Sequence, residues 1–258
     1  MSRRTQRFDV LGTPTIFLRL PAGKARVVSG DDGVVEVHMS GRDSTLERFL
    51  VEDRGGQIVI EPEGGRGGRV SGIDVEIRIG AGADLHARVA SADVTVDTEV
   101  ASIVVEAGSG DVSAGVVSGD ARIKVASGDV GVASVGGRLD VVAASGDVRV
   151  RSVAGDLTVK TASGDIDIAE AAGSVVAHSA SGDIEIGRFT GELFQAKTRS
   201  GDVRLGVTSG RTFGIDFQSL SGDVRTEFPV GSGEAGGGAT ARLTVKTMSG
   251  DIVLRSTG

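Results

Sequence analysis

The 258-residue chain has no cysteine, tryptophan, tyrosine or asparagine, only four prolines, and eight phenylalanines as its sole aromatic residues. Without cysteine there is no disulfide framework, no thiolate metal site and no cysteine nucleophile. Without asparagine there is no N-glycosylation acceptor. Unbroken apolar runs reach only about four residues, against the roughly 18 that a membrane-spanning helix needs. Gly12 and Pro14 interrupt the N-terminal segment before a signal-peptide core develops. The expectation is a soluble protein, cytoplasmic by default, that does not insert directly into a membrane, with envelope association through a partner as the alternative. A formal charge of -7, from 28 basic and 35 acidic residues, argues against nucleic acid as the partner, because phosphate binding needs concentrated Lys and Arg.

Glycine is in excess, at 41 residues, and a repeat accounts for it. Ser-Gly-Asp begins at Ser109, Ser127, Ser145, Ser163 and Ser181 in steps of 18, and again at Ser200, Ser221 and Ser249 with looser spacing. Ser91-Ala92-Asp93 is a degenerate copy 18 residues before the first. Weaker copies lie halfway between, at Ser118-Gly119-Asp120, Val135-Gly136-Gly137-Arg138, Ala154-Gly155-Asp156, Ala172-Gly173-Ser174 and Thr190-Gly191-Glu192. From about residue 81 to 188 the chain therefore reads in nonamers, each carrying an apolar-any-apolar triplet such as Val148/Val150, Leu157/Val159, Ile166/Ile168 or Ile184/Ile186.

That triplet is a period-2 signal rich in β-branched residues, which means a short strand with one buried face. Glycine gives the turn between strands its backbone freedom, and the aspartate accepts a local hydrogen bond. So short a strand cannot bury its apolar face alone, so successive copies must stack. The predicted fold is all-β: a single-stranded right-handed β-helix or β-solenoid of about 18 residues (two nonamers) per coil, with β caps at both ends. Residues 1–80 read as an N-terminal β-strand cap continuous with the solenoid, with conventional strands at Val34 to His38, Gln57 to Glu61 and Asp74 to Ile79. Residues 81–188 are the regular solenoid, and residues 189–258 form irregular C-terminal coils and a cap, all in one domain. Phenylalanine is absent between Phe49 and Phe189, as a narrow interior requires, while Phe194, Phe213, Phe217 and Phe228 are expected to close the far end. Gly231 to Gly238 reads as a flexible loop before a last strand that rejoins the coils.

With Ser145-Gly146-Asp147-Val148-Arg149-Val150, Ser163-Gly164-Asp165-Ile166-Asp167-Ile168 and Ser181-Gly182-Asp183-Ile184-Glu185-Ile186 as the carrying motifs, preceded by the strand Val75 to Ile79, the chain resembles the bacterial adhesin-like β-strand-repeat family of unknown function, grouped with toastrack-type domains. The resemblance spans about residues 70 to 256. It implies a right-handed β-helix-like fold, no assigned catalytic residues and frequent residence at the envelope, a location that the absence of a visible signal or span here does not match.

The conspicuous constellation is an aspartate ladder: Asp93, Asp111, Asp129, Asp147, Asp165 and Asp183, continued by Asp202, Asp223 and Asp251. Stacked on one edge, neighbouring carboxylates would repel by about 1 kcal/mol per pair in water-like dielectric. The ladder reads first as solvated turn residues bonded to local N–H or serine hydroxyl groups. Its alternatives are a divalent-cation edge, for which one carboxylate per turn is thin against calcium's preference for about six to eight oxygens, and a partner-binding edge. His38, His86 and His178 are far apart in sequence. His86 and His178 fall at variable positions, which places them on exposed faces without a shared metal or catalytic site. No Ser-His-Asp pattern, phosphate-binding glycine loop or Gly-Lys-Ser/Thr is present, and Arg3-Arg4-Thr5-Gln6-Arg7 reads as a solvated tail.

No catalytic residue, cofactor or metal is assigned, and the chain is read as a non-enzyme. The leading function is a structural or interaction scaffold whose flat faces, carrying Arg149, Arg151, Lys160, Asp167 and Glu185, meet a protein partner. No feature sets the oligomeric state. The alternatives are a cation-binding β-roll using the aspartate ladder and a polysaccharide-acting β-helix enzyme. The second fits poorly with a chain that lacks Tyr and Trp and has no insertions in its regular coils.

Overall fold

The computed structural model describes residues 1–64, 72–208, 212–227 and 240–257. Phe228, the Gly231 to Gly238 segment and Gly65 to Gly68 lie outside them. Among the described residues the chain is built from 23 strands and one four-residue helical turn, and no helix is long and apolar enough to cross a membrane. Two compact units divide it, Met1–Ala133 and Ser134–Gly258.

The first unit opens with β1 (Ser2–Asp9), β2 (Thr15–Ser29), β3 (Val34–Gly41), the helical turn α1 (Asp43–Leu46), β4 (Phe49–Asp53), β5 (Gln57–Pro62) and β6 (Ile73–Ile79). The repeat region follows as β7 (Ala83–Val96), β8 (Val100–Ser109), β9 (Val112–Val117), β10 (Ala121–Ser127) and β11 (Val130–Val135), the last containing the boundary between units. The pairs β1–β3, β3–β6 and β4–β5 are antiparallel. Parallel stacking nevertheless begins earlier than the motif does. β2 pairs in parallel with β7 through both of its halves, Thr15 to Leu20 and Ala22 to Val27. Its corner, Ala22-Gly23-Lys24, has the glycine in the same left-handed conformation as the later corners (φ 122°) but neither the serine nor the aspartate.

Arg3 to Arg7 are not a solvated tail. They lie in β1, which is paired with β3 over its whole length. Alternation explains it: Arg3, Thr5 and Arg7 face water, while Arg4, Gln6 and Phe8 turn to the half-buried side. There the Arg4 guanidinium donates to the carbonyls of Leu46 (3.3 Å) and Phe49 (2.7 Å). Charged outward residues on a strand that, among the described residues, is paired on one side also discourage edge-to-edge association.

The second unit continues with β12 (Leu139–Ser145), β13 (Val148–Val153), β14 (Leu157–Ser163), β15 (Ile166–Ala171), β16 (Val175–Ser181) and β17 (Ile184–Phe189). It ends with β18 (Leu193–Lys197), β19 (Val203–Thr208), β20 (Thr212–Ser221), β21 (Val224–Thr226), β22 (Thr240–Ser249) and β23 (Ile252–Thr257). Alternate strands form two parallel ladders, β12-β14-β16-β18-β22-β20 and β13-β15-β17-β19-β23-β21. Val148, Ile166, Ile184, Val203 and Ile252 thus occupy one register position and are at most 1% exposed. Each such side chain contributes about 1.5–3 kcal/mol by leaving water.

Spatial order departs from chain order at the C-terminus. The last coil, β22 and β23, is inserted between β18/β19 on one side and β20/β21 on the other. Its Leu243, Val245, Ile252 and Leu254 are fully buried, whereas the outermost coil leaves Ile215 (37%) and Val224 (47%) exposed. Large rings are accommodated within the stack as well as at its end. Phe189 and Phe194 are completely buried with centroids 5.6 Å apart, and Phe189 registers against the small Ala171, which leaves room for the ring.

Val148→Asp should lower stability by more than about 3 kcal/mol, because it strands a charge in the apolar column. Arg149→Ser should change it by less than about 1 kcal/mol. Urea unfolding of both variants measures the contrast.

Candidate functional site

Each Ser-Gly-Asp corner turns on a glycine that an L side chain could not replace. Gly164 has φ 134°, and a Cβ there would collide with the carbonyl oxygen of Gly146 one coil away. The aspartate that follows is bonded along the stack. In the first unit the N–H of Asp111 donates to the Asp93 carboxylate (3.2 Å), and that of Asp129 to Asp111 (2.9 Å). In the second, Asp165 donates to Asp147 (3.0 Å), Asp183 to Asp165 (2.9 Å), Asp202 to Asp183 (2.8 Å), Asp251 to Asp202 (2.9 Å) and Asp223 to Asp251 (2.9 Å). The donor therefore comes from the neighbouring coil and not from the local turn, since stacking in register brings that N–H to the carboxylate. Hydrogen bonds to a charged group contribute about 1.5–3 kcal/mol each, enough to offset repulsion between neighbours.

The inner side of the corner carries a device that sequence reasoning missed. Thr161, Thr198 and Thr247 are buried two residues before the Ser-Gly-Asp copies that begin at Ser163, Ser200 and Ser249. The hydroxyls of Thr198 and Thr247 donate to the carbonyls of Gly182 and Gly201, both at 3.3 Å. The recurring Thr/Ser-x-Ser-Gly-Asp was the available signal.

The second carboxylate oxygen is free to meet cations. Arg149 pairs with Asp147 (2.6 Å), Arg225 with Asp223 (2.9 Å), and Arg204 with both Asp202 (2.7 Å) and Asp183 (3.2 Å). Burial opposes the Arg204 charge, but the hydrogen bond with Asp183 and the charges of Asp202, Asp183 and Glu185 outweigh it, so its pKa rises above the ordinary guanidinium value. One register position outward runs Arg149, Asp167, Glu185, Arg204. With Asp147, Asp165 and Asp183 these residues line a shallow groove of 190 Å³. Arg151 shares β13 with Arg149, whereas Lys160 belongs to the other ladder, on β14. Among the described residues no group of three or more His, Asp or Glu is disposed to hold a metal ion.

The three histidines have different surroundings, and all are half-buried instead of exposed. His38 Nδ1 lies 3.0 Å from the Thr5 hydroxyl. His86 stacks on Phe17 with ring centroids 4.9 Å apart. His178 stands between Lys160 and Lys197 in register. Burial first, then the charges of these two lysines, lowers its pKa from the ordinary 6.5.

A family model described as Toastrack DUF4097 matches residues 25–255. No curated protein matches the chain. Among solved structures, it is similar to an adhesin-like protein from Parabacteroides distasonis (13% identity, 99% of this chain and 97% of that one, TM-score 0.48). It is also similar to adhesin-like proteins from Bacteroides fragilis (13%, 99% and 97%, TM-score 0.40) and Parabacteroides merdae (11%, 99% and 96%, TM-score 0.40).

Asp165→Ala should cost about 1–2 kcal/mol by removing the acceptor for the Asp183 N–H, while Asp165→Asn, which keeps an acceptor, should cost less than half as much. Millimolar calcium should leave the wild-type melting midpoint unchanged, since a ligand of the native state alone would raise it. For His178 the unfolded chain takes up the proton first as pH falls. The stability tied to its neutral form is complete above 6.5 and is lost as pH drops through 6.5 toward the lower folded pKa. Melting midpoints against pH should therefore fall more steeply below 6.5 for wild type than for His178→Gln.

Proposed function

The chain belongs to the Toastrack DUF4097 family, and from that premise we propose that it is a non-catalytic interaction scaffold whose mixed-charge face binds a protein partner. The observation that carries this reading is the row Arg149, Asp167, Glu185, Arg204, in which backbone register sets a plus, minus, minus, plus order across four adjacent strands. Neighbouring strands lie about 4.8 Å apart, so the pattern is held by the sheet instead of by flexible loops. A partner with the opposite order gains specificity and a faster encounter, and like charges placed against the row are penalised. The polysaccharide-enzyme reading has less support. Phe189 and Phe194 are fully buried and offer no exposed ring to a sugar.

Cross-linked capture from an extract of the native organism tests the reading. Wild type should retain a protein that Asp167→Lys/Glu185→Lys loses at least about tenfold, with capture weakening as salt rises. Identical capture by both forms would refute the assignment of the face, and turnover on a polysaccharide panel would refute the non-catalytic part.

A further inference from the structure

The outward side of the other ladder in the second unit has a different charge pattern. One register position on β14, β16, β18 and β22 carries Lys160, His178, Lys197 and Lys246 in a continuous column. Two residues beyond Lys197, Lys246 and Gln218, the β20 partner of Lys246, stand Arg199, Met248 and Leu220, with Leu220 beside Met248 between the paired positions Ser219/Thr247 and Ser221/Ser249. Lys160, Lys197, Arg199 and Lys246 are exposed, and none of them forms a salt bridge among the described residues. On the opposite ladder Arg149, Arg204 and Arg225 pair with the aspartate edge. A chain of net charge -7 thus gathers four unpaired cations on one face. His178, in the middle of the column, has its pKa lowered first by burial and then by the charges of Lys160 and Lys197.

We propose that this face is a docking surface for an anionic lipid bilayer, with the lysine column lying on the headgroups and Leu220 and Met248 entering the interface. The face goes beyond the mixed-charge row, which belongs to the other ladder. Charge complementarity supplies the attraction, since each Lys or Arg near an anionic leaflet strengthens binding about fivefold. The apolar pair selects among anions. Leu220 is 81% exposed and Met248 52% exposed beside Lys246, an arrangement that a soluble polyanion leaves in water and a headgroup layer covers. The contact is peripheral and places no strand across the membrane.

Co-sedimentation with vesicles tests the proposal, using phosphatidylcholine alone and phosphatidylcholine with about 30 mol% phosphatidylglycerol, in about 0.1 M salt. Wild type should pellet with the anionic vesicles only, and binding should decline as salt is raised. Lys197→Gln/Lys246→Gln should weaken it about thirtyfold, Lys197→Arg/Lys246→Arg should preserve it, and Leu220→Ser should weaken it at least about fivefold. All of these positions are exposed, and unchanged melting midpoints establish that the variants remain folded. Absence of vesicle binding by wild type, vesicle binding indifferent to both the Gln pair and Leu220→Ser, or retention on heparin or single-stranded DNA without vesicle binding would overturn the proposal.

Discussion

A corner of three residues has to reverse the direction of the chain and close hydrogen bonds to the coil beside it. Glycine permits the left-handed backbone and the close approach to the neighbouring glycine carbonyl. Aspartate then offers its carboxylate to an N–H one coil away, and at the later corners the hydroxyls of Thr198, Ser219 and Thr247 cover a carbonyl of the neighbouring coil. These bonds satisfy backbone groups that the turn would otherwise leave unpaired. They also lock neighbouring coils into the register that aligns Val148, Ile166 and Ile184. Were the corner to slip by one residue, every aliphatic side chain would move to the outer face.

The same register organises the surfaces. Once inward positions are fixed, outward ones become columns whose chemistry is set by a single residue per strand. One ladder of the second unit carries a plus, minus, minus, plus row beside the aspartate edge, and the other carries lysines that form no salt bridge among the described residues. Carboxylates are concentrated on the side where ladder aspartates already attract arginine, which leaves the opposite side free to accumulate positive charge. Charge columns of this kind need no pocket, because the sheet itself supplies the rigidity.

Much of the architecture was legible before any coordinates. The 18-residue recurrence of Ser-Gly-Asp and the Val/Ile triplets after it gave the coils, their inward columns and the resemblance to a toastrack-type family. Three features resisted that reading. β2 stacks as a coil without the motif, because a single glycine at Gly23 meets the geometric need of the corner. Arg3 to Arg7 pair as a strand because their alternation is carried by arginine stems instead of aliphatic residues. The aspartates were recognised as an edge, but the origin of their donors was hidden, since that N–H is 18 residues distant in the regular coils and 49 where Asp251 meets Asp202.

Local periodicity determined, by itself, that the chain is all-β, that its repeat is two short strands, and which of its aliphatic side chains face inward. These follow from the alternation of side chains along a strand and the backbone freedom of glycine, both properties of near neighbours in sequence. The tertiary structure alone decided the order of the last coils, the insertion of β22 and β23 between older neighbours, and the gathering of Lys160, Lys197 and Lys246 into one column. Those depend on which strands share hydrogen bonds, and 49 residues separate Lys197 from Lys246, a spacing that no repeat announces.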